Sequence, residues 1–400
     1  MKTKFPSFRC VLAVIFSLVA CALAYADDIS FYPVGQLPGG APNSQIRDAV
    51  LTNQGILAAG YATQNPNSQD SAGSGDTAVM WTLHDGLKKL ATLPAGASTP
   101  ALTKNVTASA IASFSYDIAS RSLTDSTGQD VEATLVGNGG KSLTKIGQLP
   151  GLAPYSAAVA LSADGKVVYG FNKDSLGNQI GFRWTQTEGI TPLGLPPGSA
   201  GSGPAGRAAS ADGSIAVGGE TYGPGGVGFV YRHGTGISAL PLAAGGTWTG
   251  AFAITPGGHY IVGSGDSTAF PDGEFLVWHD AKVVPLGLPS AETSTNNTNF
   301  GGVTAGGRVV VTFDNNSSYF HNRHGWFNLQ AVLEVAGVDL KDWSALLAFG
   351  VSSDGRLVFG SGINSTGYEG FVVKLPHGYL LNYGKSVNAA DEDDDDCDTN

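Results

Sequence analysis

His321 and His324 stand three residues apart, a spacing that brings two imidazoles within reach of one metal ion. A metal site needs further ligands, and no neighbouring Cys and no His-Glu-x-x-His pattern supplies them. We therefore expect no metal and no cofactor, and read both histidines as surface or packing residues. Asp164, Asp212 and Asp354 each precede a glycine, at Gly165, Gly213 and Gly355; their repetition follows turn geometry, not catalysis. The glycine-rich stretches 223–228 and 245–246 lack the strand–loop–helix context and the Lys of a phosphate loop, and no Gly-x-Ser-x-Gly elbow is present. The acidic run 391–398 holds seven carboxylates that repel one another and bury nothing. It reads as a solvated tail, with a weak calcium site as the sharper alternative. No catalytic residue can be named from these motifs.

The elements that would have to position a site are clearer. Residues 149–196 contain four short apolar runs, 157–161, 167–171, 181–185 and 190–193, separated by Gly, Asp, Asn and Pro. That is the pattern of four antiparallel strands. Leu-Pro pairs at Leu37, Leu93, Leu149, Leu195, Leu240 and Leu288 recur every 45 to 56 residues; the last, at Leu375, follows after 87. The first turn recurs as Ser-Ala-Asp-Gly at 162–165 and 210–213, and in related form at 255–258, 304–307 and 352–355. A third strand recurs at Phe182, Phe229, Phe275 and Phe371, with a looser copy at 79–81. A unit of about 40–50 residues fits a propeller blade. The expected fold is all-β, a single propeller of seven four-stranded blades, with six or eight as alternatives. Residues 29–35 look like a fourth strand without predecessors, and the last unit stops after its third strand, so the N-terminal strand is expected to close the ring. The second blade is the most diverged, and 329–337 and 342–347 interrupt the sixth, as a short helix. Small residues recur two and four places before each first turn (Ala160, Ala208, Ala253; Ala158, Gly206, Ala251), which we read as one crowded face around the propeller axis.

Glycine at 57 of 400 residues is about twice ordinary usage, and charged residues at 14% fall below the usual 25% or so, as many turns and half-buried strands require. Residues 1–26 read as a secretory signal: Lys2, Lys4 and Arg9, an apolar run, then Ala24-Tyr25-Ala26 before Asp27. Leu18-Val19-Ala20-Cys21 offers a rival, a lipoprotein box in which Cys21 carries a lipid anchor. The domain reading is signal 1–26, propeller 29–376 and acidic tail 377–400. Cleavage after Ala26 leaves Cys397 alone, so no intramolecular disulfide is expected. With 22 Lys and Arg against 33 Asp and Glu, net charge −11, a nucleic-acid partner is not expected. No segment reaches the length of a transmembrane helix. The expected location is secreted or periplasmic, with an outer-membrane lipoprotein as the alternative, and the expected state is a monomer.

Binding sites on such scaffolds sit in variable connections. The between-blade connections carry Arg47, Tyr155, Arg207, Trp248 and Asn299, each near the start of an innermost strand. Aromatic rings beside Arg and Asn suit a sugar or a peptide segment. The expected role is a binding or interaction module for a glycan or protein partner rather than an enzyme. The alternative is a glycan-active hydrolase or lyase, which would need paired acidic or His and Tyr groups converging across blades.

The repeat 161–198, with Gly181-Phe182, resembles the units of bacterial extracellular HAF-repeat proteins, and the resemblance spans roughly 33–376. Their His-Ala-Phe triplet is reduced here to Ile180-Gly181-Phe182, Val227-Gly228-Phe229, Gly273-Glu274-Phe275 and Glu369-Gly370-Phe371, in which only Phe is kept. The resemblance implies a secreted or surface repeat protein and no particular reaction.

Overall fold

The computed structural model describes residues 29–385, apart from 64–75, 90–101, 112–117, 126–129, 138–141, 153–155, 199–204, 220–224, 290–294, 296–298 and 315. Residues 1–28 with Cys21, and Cys397 with the acidic run, lie outside the described residues. An N-terminal strand β1 (Ser30–Pro33) is followed by blade 1, β2 (Ser44–Thr52), β3 (Gly55–Thr63), β4 (Asp76–Thr82) and β5 (Gly86–Lys89). Blade 2 comprises β6 (Leu102–Ile111), β7 (Ile118–Asp125), β8 (Asp130–Gly137) and β9 (Ser142–Gly147); blade 3, β10 (Ser156–Leu161), β11 (Val167–Lys173), β12 (Gln179–Thr185) and β13 (Gly189–Pro192). Blade 4 comprises β14 (Ala205–Ala209), β15 (Ile215–Gly219), β16 (Gly228–Arg232) and β17 (Gly236–Ala239); blade 5, β18 (Thr249–Ile254), β19 (Tyr260–Gly265), β20 (Glu274–His279) and β21 (Lys282–Gly287). Blade 6 comprises β22 (Asn299–Val303), β23 (Val310–Phe313), β24 (Ser318–Asn322) and β25 (Gly325–Asn328); blade 7 supplies β26 (Trp343–Val351), β27 (Leu357–Asn364) and β28 (Gly367–Lys374). Each blade is a four-stranded antiparallel sheet, seven among the described residues, and β1 is the fourth strand of blade 7. The first strand of every blade contacts that of the next, and β26 contacts β2, so these strands surround one axis.

Ring closure is a hydrogen-bonded seam between the two ends of the propeller. Strand β1 runs antiparallel to β28, from Ser30 opposite Lys374 to Pro33 opposite Phe371. Val34 N–H then donates to Gly370 O at 2.9 Å, and Gly35 N–H donates to Glu369 Oε1 at 2.9 Å. Buried Ser44 clasps both ends: its Oγ donates to Gly35 O at 2.6 Å and accepts from Gly370 N at 2.9 Å. Phe31 packs on Phe371 and, edge-on, on Trp343, with ring centres 5.6 and 5.1 Å away. The pairing covers an edge that would otherwise template other chains.

The repeated turn explains its own sequence. Ser162 Oγ donates to Asp164 Oδ1 at 2.7 Å and accepts from Val167 N at 3.0 Å, while Gly165, at φ 73°, closes the bend onto Ser162 O. Ser210/Asp212 and Ser352/Asp354 repeat the Ser–Asp bond at 2.6 Å. Neighbouring turns are also linked: Ala163 N donates to Ala211 O, and Ala211 N to Pro256 O, both at 2.8 Å. The belt cannot continue from Pro256, which has no N–H; Ala305 N resumes it by donating to Ser353 O.

The apolar core lies between blades. Phe182 and Trp184 pack with Ile146 and Leu149 of blade 2, and Phe229 packs with Tyr169 and Leu193 of blade 3. Pairing corrects one alignment. Opposite the second-strand glycines Gly170 and Gly218 stand Phe182 and Phe229, but opposite Gly263 stands Leu276. Phe275, one residue earlier, faces the blade-6 side with Val303 and Val310. The glycine before the repeat Phe is also explained, since a Cβ on Gly370 would meet Val34 and Ile46 across the seam.

Residues 329–337 do form a helix, α1 (Leu329–Val335), capped by Asn328 Oδ1 accepting from Ala331 N at 2.9 Å, with Leu329, Val332 and Leu333 buried. Two boundaries move. Residues 343–347 open the innermost strand β26 and are not an interruption. Residues 377–385 belong to the folded body and not to the tail, because Tyr379 and Leu380 of a short helix (Tyr379–Asn382) enter the core, and Asn322 Nδ2 donates to Leu380 O at 2.7 Å.

Candidate functional site

What reaches the axis is decided by a bulge that every fully described innermost strand carries. Register shifts fall at Ile46/Asp48, Ala158/Ala160, Gly206/Ala208, Ala251/Ala253, Phe300/Gly302 and Ala348/Gly350. The extra residues are Arg47, Val159, Arg207, Phe252, Gly301 and Phe349. Opposite the residue before the bulge, the second strand carries Gly60, Gly170, Gly218, Gly263 or Gly360. At Gly60, Gly170, Gly263 and Gly360 an added Cβ would collide with the carbonyl of Gln45, Ala157, Gly250 or Leu347. A bulge re-aims side chains and breaks the period of two. Ala158 therefore faces blade 2 while Ala160 faces blade 4. The small residues are spacers against neighbouring blades on both sides, and the single crowded axial face expected from their spacing does not exist.

The bulged residues of blades 1 and 7 meet. The Arg47 guanidinium lies 4.3 Å from the centre of the Phe349 ring and 5.5 Å from that of Tyr61. Its Nη2 donates to Tyr61 Oη at 3.3 Å. Phe349 in turn meets Phe313 edge-to-face at 4.8 Å. Arg47 is the fourth residue of β2, Tyr61 lies near the end of β3, and Phe313 ends β23. All three positions put the cluster toward the face of the between-blade connections and away from the tight turns. Arg47 itself is exposed, yet its neighbour Ile46 is fully buried. The arrangement is a cation and aromatic rings fixed on rigid strands, open to a ligand. Nearby, Gln45 Oε1 and Thr312 Oγ1 are buried without a protein hydrogen-bond partner.

Of the five residues expected at the binding face, the structure places Arg47 and Arg207 at the same bulge position on β2 and β14, both exposed and both on the strands themselves. Trp248 is 4% exposed and packs against Gly273, so its ring serves the fold and is not offered to a ligand. Asp266 holds that connection, accepting from Thr247 N, Thr247 Oγ1 and Trp248 N at 2.6–2.8 Å. Burial raises the pKa of Asp266, but these bonds outweigh it and keep the carboxyl below its ordinary range. Asn299 opens β22 opposite Phe313. Tyr155 lies outside the described residues. Phe252 and Phe349 escape a reading of loops, yet the second-strand glycines were a usable signal, since glycine inside a strand marks a bulge.

Elsewhere, His321 packs on Trp326 with ring centres 4.9 Å apart, and burial lowers its pKa; His324 is exposed in the following turn. Asp212 is held below the ordinary carboxylate range by its bonds from Ser210 and Ser214, as a turn-building residue would be. Among the described residues no three His, Cys, Asp or Glu side chains are grouped to hold a metal. Nor is any helix there long and apolar enough to cross a membrane. A groove of about 600 Å³ runs along the outer strand of blade 7, between Phe31 and the segment 336–343.

No family model and no curated protein matches the sequence. Solved structures do match in fold. TolB from Acinetobacter baumannii is 13% identical with a TM-score of 0.42; the alignment covers 80% of this chain, which spans only 64% of that protein. Oligogalacturonate lyase in complex with manganese is 11% identical with a TM-score of 0.51, over 87% of this chain and 96% of that one. Oligogalacturonate lyase from Vibrio parahaemolyticus is 8% identical with a TM-score of 0.55, over 88% and 98%. At these identities the similarity is one of architecture, and the chain is a β-propeller.

Proposed function

We propose that this chain is an exported bacterial propeller of the HAF-repeat type that binds a glycan at the axial mouth of its connection face. The observation that carries the reading is the exposed Arg47 guanidinium fixed against Phe349 and Tyr61. Side chains already ordered by packing lose little freedom when a ligand arrives. Aromatic rings beside a planar donor group suit the C–H faces and hydroxyls of a sugar. Export rests on the basic, apolar and small-residue pattern of 1–26, which supports a secreted or periplasmic location.

Binding of a glycan array by the full mature chain, with Arg47→Ala and Phe349→Ala as comparisons, tests this reading. A bound glycan whose affinity falls at least about tenfold in both variants is expected. Equal binding by parent and variants would move the site elsewhere. Mass analysis of the recovered glycan separates the enzyme alternative: intact sugar supports a binding module, and cleaved sugar a lyase or hydrolase.

A further inference from the structure

We propose that the group recognised at this mouth is an anion on the glycan, a uronic-acid carboxylate held by Arg47; the inference rests on the binding reading above and narrows it to acidic sugars. A guanidinium carries five N–H donors in a planar fork. The Arg47 hydrogen bond to Tyr61 Oη uses one of them, at a long 3.3 Å. Its other contacts are with ring faces, which attract the cation but accept no conventional hydrogen bond. Among the described residues no carboxylate forms an ion pair with Arg47, although the chain carries 33 Asp and Glu. Four other described cations do have a carboxylate partner: Arg183 with Glu188, Lys166 with Asp164, Lys88 with Asp85, and Lys341 with Asp339. Arg47 thus combines a full charge, unused donors, exposure and an anchored position.

The ligand chemistry follows from the donor geometry. A planar fork pairs with a carboxylate through two parallel N–H···O bonds, which a neutral hydroxyl cannot reproduce. The same bulge on β14 presents a second exposed arginine, Arg207, so two of the axial positions are cationic in a chain of net charge −11. The apolar pair Phe349 and Phe313 stands beside Arg47 and offers a wall for the sugar ring that bears the acid. Because the bulge fixes the backbone and Phe349 fixes the side chain, the fork is set before the ligand arrives.

Calorimetric titration of the full mature chain with three probes tests this: a short uronate oligosaccharide, the same oligosaccharide with its carboxyls reduced to alcohols, and a sulfated neutral oligosaccharide. The uronate is expected to bind about 10- to 100-fold tighter than its reduced form, the range of a charge-assisted hydrogen-bond pair. Arg47→Gln should collapse that ratio to near one, and Arg47→Lys, a point charge without the fork, should keep only part of it. Melting curves and circular dichroism like the parent's establish that both variants are folded. Equal affinity for uronate and reduced sugar would overturn the carboxylate inference while leaving glycan binding standing. Preference for the sulfated sugar would also overturn it, in favour of a different anion. Binding of none of the three, or of an acidic peptide instead, would remove both readings.

Discussion

Ser44→Ala removes one oxygen from the place where the chain's two ends meet, and the structure sets what that should cost. The hydroxyl is fully buried. It accepts from Gly370 N–H at 2.9 Å and donates to Gly35 O at 2.6 Å, joining residues more than three hundred positions apart. In the alanine variant the Gly370 N–H is left buried without a partner, a loss of about 1–3 kcal/mol. The Gly35 carbonyl, partly exposed, regains some of its bond from water, so its loss is about 0.5–1.5 kcal/mol. Together the two predict a destabilisation of about 1.5–4.5 kcal/mol. Urea unfolding followed by tryptophan fluorescence reads this as a lowered midpoint at unchanged slope. Ser214→Ala is the comparison; its hydroxyl bonds only within an exposed turn, to Asp212, and the change should stay within about 0.5 kcal/mol. A loss at Ser44 no larger than at Ser214 would mean that the seam does not hold the ring shut.

Trp278, 2% exposed and donating through Nε1 to Pro241 O at 2.8 Å, and Trp184, 7% exposed, should each cost on the order of 3–5 kcal/mol on change to Ala, measured by the same unfolding curves. Tyr169 is buried, donates to Gly213 O at 2.7 Å, and burial pushes its phenol up to about 12. Its folded pKa is raised above the unfolded value near 10, so its contribution is complete below pH 10 and is lost as pH rises toward 12, by about 2–3 kcal/mol. Tyr169→Phe should remove that alkaline slope; a stability–pH curve between pH 9 and 12 unchanged by the substitution would contradict the assignment. Asp212→Asn should leave glycan binding at the parent's level, because that carboxylate builds a turn on the opposite face.

Architecture was legible because its causes are local. A glycine at the end of a Ser-Ala-Asp-Gly turn, alternating apolar runs and an orphan strand at residues 29–35 each follow from short-range chemistry, and together they define blades and closure. The Leu-Pro marks counted units but not equivalent positions. Val34, Leu193 and Leu240 all donate to the residue before a third-strand apolar position. Leu37 therefore lies three residues beyond its reference, Leu195 two beyond, and Leu240 on it. Burial follows the frame: Leu37 is buried and Leu195 exposed. The site was only half legible. Arg47 and Arg207 are visible in the sequence, but as loop residues, because a period of two assigns faces only while the ladder is regular. One bulged residue reverses every assignment beyond it, so Ala158 and Ala160, which the period places on one face, lie on two. Phe349 escapes the sequence for the same reason, and Trp248 reads as a ligand residue because nothing in the sequence shows Asp266 folding its loop inward.

The central claim is that ligand binds at the axis through the bulged residues of blades 1 and 7. Hydrogen–deuterium exchange of the full chain, with and without a saturating uronate oligosaccharide, tests it most directly. Slowed exchange in peptides covering 44–50 and 345–351, with the outer strands Gly189–Pro192 and Gly236–Ala239 unchanged, is the result expected. Protection confined to the outer connections, such as 174–178 around the 83% exposed Leu176, with β2 and β26 unaffected, would contradict it.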